Sequence, residues 1–357
     1  MRMRFLKRLA VLAALVIPMH AFADDPLKVG FIYVGPIGDH GWSYQHDQGR
    51  KALEEHFGDK VQTTYVENVN EGADAERTLR RLAQAGNDVI FATSFGFMNA
   101  VARVAKDYPD KVFLHATGYK RAKNLGTYLS VTYEGRYVSG TAAGLVTQSN
   151  KIGFIASFPI PEVIRDINAT FLAARKVNPD VELKVVWVST WFDPAKEADA
   201  ANTLMDQGVD VIIQHTDSPA AMLAAEKRGK WAVGQASDMS HFGPHAHLLS
   251  VVDDWAPYYI QTVQDVMDGT WKSEDYWGGI KEGDIKIVGL SDRLTDEQTS
   301  KVNDTIEAIR TGKLHPFTGP IYDQAGKLRI KEGEVATHEQ LSSMDWYVHG
   351  MTATYPQ

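Results

Sequence analysis

Residues 29–42, VGFIYVGPIGDHGW, decide the fold. Val29, Gly30, Phe31, Ile32, Tyr33 and Val34 form a nearly unbroken apolar run bounded by turn residues, the pattern of a strand buried on both faces. Gly35, Pro36 and Gly38 stop it, and Asp39 is placed to cap a helix over residues 43–56. In an open parallel sheet, the loops at the strand C-terminal ends carry the ligand. Trp42 falls in such a loop or in the first helical turn, where it either meets a ligand or packs between helix and sheet.

The opening strand has an echo. Lys28-Val29-Gly30-Phe31-Ile32 returns as Lys151-Ile152-Gly153-Phe154-Ile155, and Gly86-Asn87-Asp88-Val89-Ile90 returns as Gly208-Val209-Asp210-Val211-Ile212. Each copy of the second block follows an amphipathic helix and ends in a polar loop, Thr93-Ser94-Phe95 or His215-Thr216-Asp217. A third pair sets Thr117-Gly118-Tyr119 against Ala236-Ser237-Asp238. The repeat predicts two α/β lobes in tandem, each a parallel sheet with helices on both faces and right-handed crossovers.

Residues 1–23 read as a secretory signal peptide: Arg2, Arg4, Lys7 and Arg8, a short apolar run from Leu9 to Ile17, then Ala21-Phe22-Ala23 before Asp24 and Asp25. Cleavage leaves 334 of the 357 residues and, with four basic residues gone, moves the formal charge from −8 to −12. That balance disfavours nucleic acid and anionic membrane surfaces as partners. No further segment is long and apolar enough to span a bilayer. The absence of cysteine excludes disulfides, a thiol nucleophile, thiolate metal sites and a lipid-anchored N-terminal cysteine. The expectation is a free periplasmic protein.

Two doubly wound lobes bring their strand C-terminal ends to one interdomain cleft. The loops there hold Trp42, Phe95, Tyr119, Trp191 and Phe192, with Asn168, Asp217 and Asp238 nearby. Flat aromatic walls and a few polar groups suit a flat, heteroatom-rich ring, held by stacking and by hydrogen bonds to its edge.

These residues resemble the basic membrane protein family, the substrate-binding proteins of ATP-driven importers. The likeness covers almost all of the mature chain. It includes the opening strand with GDHGW, the Gly-x-Asp-Val-Ile units, Asn178-Pro179, Trp191-Phe192-Asp193, Gly234-Gln235-Ala236-Ser237-Asp238 and Gly278-Gly279-Ile280-Lys281-Glu282-Gly283. The resemblance implies the type I periplasmic-binding fold, with three crossovers between lobes over 27–148 plus 252–281 and 149–251 plus 282–357. It also implies a purine held between two rings, carried here by Trp42 and Trp191, and a partnership with the importer's permease subunits. A monomer is expected, with no cofactor. Lys281, near the hinge, either reaches a ligand oxygen or is a solvated surface lysine. Nucleoside-binding relatives read Gly-Val-Asp-x-Asp where this chain has Ala236 and keeps only Asp238. The lost acceptor predicts a free purine base, such as adenine, in place of a nucleoside.

Rival classes have little chemistry behind them. There is no Gly-x-Ser-x-Gly elbow, no P-loop, no His-Glu-x-x-His and no dinucleotide fingerprint after the first strand. His241, His245 and His247 have metal-like spacing but no carboxylate completing a set, so no metal is expected. A nucleoside hydrolase needs a carboxylate cluster near the opening strand, where Asp39 stands alone. The remaining alternatives are a purine nucleoside receptor and a ligand sensor for a membrane receptor that uses the same lobe closure.

Overall fold

The computed structural model describes residues 25–355; the expected signal peptide lies outside them. The first lobe grows from β1 (Leu27–Ile32), α1 (Gly41–Phe57), β2 (Val61–Val66), α2 (Ala73–Gln84), β3 (Val89–Ala92), α3 (Met98–Asp107), β4 (Val112–Ala116) and β5 (Leu125–Ser130). Side chains of a strand alternate between the two faces of its sheet. Val29, Phe31 and Tyr33 accordingly join a core with Leu53 of α1, while Ile32 joins Leu79 and Val101 of α2 and α3. The first helix departs from expectation at its start. Its N-cap is His40, which makes no side-chain capping bond, and Asp39 instead holds the His40 ring (2.6 Å).

The chain then crosses over through α4 (Thr132–Val146). The second lobe follows with β6 (Lys151–Ala156), α5 (Pro161–Val177), β7 (Glu182–Trp187), α6 (Pro194–Asp206), β8 (Val211–Gln214), α7 (Ala220–Lys227), β9 (Trp231–Ala236) and β10 (His247–Asp253). A return crossing leads to α8 (Ala256–Met267), which lies on α1, and to β11 (Asp275–Gly278). The third crossing leads to β12 (Ile285–Val288) and α9 (Asp296–Arg310), whose Thr295 and Gln298 form a reciprocal capping box. The lobe boundary expected at residue 148 falls earlier. Helix α4 packs on α5 and α9, so the chain leaves the first sheet at Ser130, because the apolar, small-residue faces of α4 and α5 fit each other closely. The C-terminal segment adds the hairpin β13 (Ile321–Tyr322) and β14 (Leu328–Ile330) and the short α10 (His338–Ser342), all on the second lobe.

The two sheets have the same order: β11-β5-β4-β3-β1-β2 and β12-β10-β9-β8-β6-β7. All pairs are parallel except β10 with β12. The connecting segments lie side by side at the hinge, where Val131 N donates to Gly278 O (2.7 Å) and Asp254 N to Asp284 O (2.8 Å).

Candidate functional site

The strand ends face each other across a narrow cleft. From the first lobe it is lined by Val34, Trp42, Ser94, Phe95 and Thr117; from the second by Glu162, Trp191, His215, Asp217 and Gln235. Rings come from both sides, and most of the charge comes from the second.

Each ring is held in place. The Trp42 indole Nε1 donates to Thr93 O (2.6 Å), and its ring packs edge-on against His46 and Trp255 at 4.5 and 5.3 Å between centroids. The two readings of Trp42 therefore both apply, since one edge packs in the lobe while the residue lines the cleft. Phe95 opens a single turn of tight helix, Phe95–Phe97, between β3 and α3. Trp191 leans on Phe158 at 4.9 Å and donates from Nε1 to Glu71 Oε1 of the other lobe (3.2 Å).

The backbone at the rim is shaped alike in both lobes. Thr117, just past β4, and Ala236, ending β9, have φ of +62° and +57°. A β-branched residue in this region is strained, and such strain concentrates at ligand sites. The loop after β8 is fixed from beneath: Gln214 Nε2 donates to Thr216 O and Ser218 O, and Glu197 accepts from Ser218 N and Oγ (3.1 and 2.7 Å).

The lobes touch through the start of α1. Its first amides lack a partner of their own helix. Gly41 N donates to Ser237 Oγ (2.7 Å) and Trp42 N to Asp217 Oδ1 (3.2 Å), so the second lobe caps a helix of the first. Gly41 has φ +83°, and a Cβ there would lie 2.8 Å from the Asp217 carbonyl, so this approach requires glycine. Burial pushes the Asp217 carboxyl up to about 7; the Trp42 amide opposes this, and nearby Glu197 adds to it.

Behind the cleft wall lies a buried ionic cluster from α4, α5 and the strand ends. Arg136 Nε meets Asp166 Oδ2 at 3.3 Å, with both side chains wholly buried. His215 Nε2 lies 3.6 Å from Asp166 Oδ2 and 3.7 Å from Glu162 Oε1. Burial disfavours the His215 imidazolium, but the Glu162 and Asp166 carboxylates outweigh it, and its pKa is raised. Asp253, at the second crossing, is pushed by burial up to about 8, with Arg136 opposing.

Of the residues expected at the site, Trp42, Phe95, Trp191 and Asp217 line the cleft. Tyr119, 63% exposed, lies on a neighbouring cavity of about 840 Å³ that shares Phe95, Thr117 and Glu162 with the first. Three fall elsewhere. Asn168 is buried in α5 and ties down the C-terminal tail, donating to Trp346 O (2.8 Å) and accepting from Val348 N (3.1 Å). Asp238 is exposed and accepts from Ser240 N (2.9 Å) to start a short turn. Lys281 is exposed at the third crossing, outside the cleft wall. Glu162, His215 and Gln235 were not singled out as site residues. His215 and Gln235 lie within or beside strand-end segments marked by the repeat, and Glu162 lies in the first turn of α5, after β6; position was the one signal for them.

Residues 27–314 match the Bmp family, described as ABC transporter substrate-binding protein PnrA-like. A purine-binding protein of Brucella abortus is 51% identical over 349 residues, covering 98% of this chain and 99% of the relative. A putative ABC transporter glucose-binding protein of Haloferax volcanii is 42% identical over 299 residues, covering 84% and 76%. Among solved structures, an ABC transporter solute-binding protein from Aeropyrum pernix superposes with a TM-score of 0.70 at 19% identity, over 81% of this chain and 93% of that one. This last likeness concerns the fold.

Proposed function

Because the chain belongs to the Bmp family of PnrA-like ABC transporter substrate-binding proteins, we propose that the cleft takes a free purine base, with adenine the best fit. Members of this family bind a solute outside the cytoplasm for an importer's permease, and they are receptors rather than enzymes.

The observation that carries the purine reading is the wall of rings from opposite lobes, Trp42 and Phe95 facing Trp191, around a small cavity. Offset or edge-on contacts between such rings and a flat heterocycle add roughly 0.5–1.5 kcal/mol each beyond burial. The polar wall decides the edge. Glu162 and Asp217 are acceptors when ionised, and Gln235 can both donate and accept. An exocyclic amine and a ring N–H satisfy that set better than the carbonyl oxygens of xanthine. Ala236 offers no acceptor for a ribose hydroxyl. The name of the Brucella relative, a purine-binding protein, supports a purine as the ligand class.

One observation favours a nucleoside instead: the cavity beside Tyr119 adjoins the purine cleft and has room for a sugar on the ring. Titration calorimetry on the unfolded, dialysed and refolded mature chain separates the two. Adenine, guanine, hypoxanthine and xanthine are run beside their ribonucleosides and glucose. Adenine is expected to bind one-to-one and tightest. Tighter binding of adenosine overturns the free-base reading, and binding of glucose alone overturns the purine.

A further inference from the structure

Glu71 lies between β2 and α2, within a loop of the first lobe that the family likeness leaves without a role. One of its oxygens, Oε1, accepts three hydrogen bonds: from Ser94 Oγ at 2.6 Å, from Gly96 N at 3.1 Å and from Trp191 Nε1 at 3.2 Å. The first two donors flank Phe95. The carboxyl group lies so close to the backbone that a Cβ at Gly96 would stand 2.1 Å from Glu71 Cδ. The third donor is the ring wall of the opposite lobe. Trp42 is anchored to the same segment through Thr93 O. The three rings of the cleft are thus referred to one stretch, Thr93 to Gly96, and to the carboxylate that braces it. Glu71 itself does not line the cavity.

The second lobe contains a counterpart. Glu197, in the first turn of α6, braces Ser218 in the loop after β8 through the same kind of hydroxyl and amide pair. Glu197 is fully buried and its bonds stay within its own lobe. Glu71 is exposed and has taken a donor from across the cleft. A loop brace has in this lobe acquired a contact that exists only when the lobes are together.

We propose that Glu71 is a positioning residue for ligand capture, orienting Phe95 from below and locking the Trp191 indole over the ligand as the lobes close. A contact made only in the closed state shifts the open–closed equilibrium by its own free energy. Ligand affinity falls in proportion when it is lost. This inference rests on the purine reading for its ligand but not for its geometry.

A double-substitution cycle tests it. Trp191→Phe keeps a ring and removes the N–H; Glu71→Ala removes the acceptor; Glu71→Gln keeps an acceptor oxygen. Adenine affinity is expected to drop about 3- to 10-fold in W191F and about 10-fold in E71A, as for a partly exposed bond to a charged group. In the double variant W191F should cost less than it does in the wild-type chain, because only the loss of ring area remains, and E71Q should recover most of the loss. Multiplying effects in the double variant, or an altered adenine-to-hypoxanthine ratio in E71A, overturns the proposal. A purine-independent readout uses chain labelled with 5-fluorotryptophan, the Trp191 fluorine resonance being identified by its absence from W191F. That resonance should move in E71A. If it moves in a protein that binds no purine, the purine reading fails and the Glu71 contact stands. If purine binds and the resonance ignores E71A, the Glu71 proposal fails and the purine reading stands.

Discussion

The two lobes share one strand order and differ in what they bring to the cleft. The first supplies Trp42 and Phe95 and a largely neutral wall; the second supplies Trp191 with Glu162, His215 and Asp217, backed by Arg136 and Asp166. They differ also at the last strand, where β11 runs parallel to β5 and β12 runs antiparallel to β10. The reason is topological. A chain that leaves the first sheet at its cleft end enters the second sheet at the cleft end, so β12 must run away from the cleft. The pair teaches that a repeated topology repeats positions and backbone shape, as at Thr117 and Ala236, while the chemistry at those positions is free to diverge.

The largest effect that tests this contrast is on stability. Arg136→Ala leaves the buried Asp166 paired with His215 alone, and breaking such a buried pair costs about 3–5 kcal/mol. Urea unfolding should register that drop; a change below about 1 kcal/mol would show that the second lobe does not depend on its ionic cluster.

Next comes the division between rings and charges. Trp42→Ala should weaken every purine by roughly 10- to 100-fold, because it removes a contact that does not read the edge. Glu162→Gln should instead change the order of adenine and hypoxanthine. Calorimetry on the same panel of bases checks both, and an unchanged order in E162Q would assign edge reading to another residue.

The last contrast is with pH. Burial pushes Glu134, in the first turn of α4, up to about 7, Asp217 to about 7 and Asp253 to about 8, against about 4 for an unfolded carboxyl. Between these values the folded chain binds more protons than the unfolded one, so stability must fall as pH rises. His215, with a raised pKa, acts in the same direction, since its stabilising charge is lost as pH rises. The melting temperature of ligand-free protein should be several degrees lower at pH 8 than at pH 5. A flat or rising profile would mean that these carboxyls stay ionised in the fold.

The sequence was legible where a local pattern reports a local constraint. The apolar run from Val29 to Val34, its echo from Lys151 to Ile155 and the turn residues after each place the strands and their cleft-facing ends, because burial on both faces demands such runs. That rule put Trp42, Phe95, Trp191 and Asp217 at strand ends, and all four line the cleft. It failed for Asn168, which lies inside α5 rather than at a strand end and is occupied by the C-terminal tail. It failed for Asp238 because that carboxylate is used within its own turn. Asp39 was read as a cap from spacing alone, whereas Ser237 and Asp217 from the other lobe meet the amides of Gly41 and Trp42.

The chain alone thus carried the two-lobe α/β plan and the segments that border the cleft, which follow from periodicity and turn chemistry over short spans, and the family, which follows from a likeness of motifs in order along almost the whole mature chain. Only the tertiary structure decided that α4 belongs to the second lobe, that Glu71 meets Trp191, and that Arg136, Asp166 and Asp253 share one buried space. The Arg136–Asp166 and Glu71–Trp191 pairs join residues 30 and 120 positions apart, and such pairings depend on how whole elements pack, which no local pattern encodes.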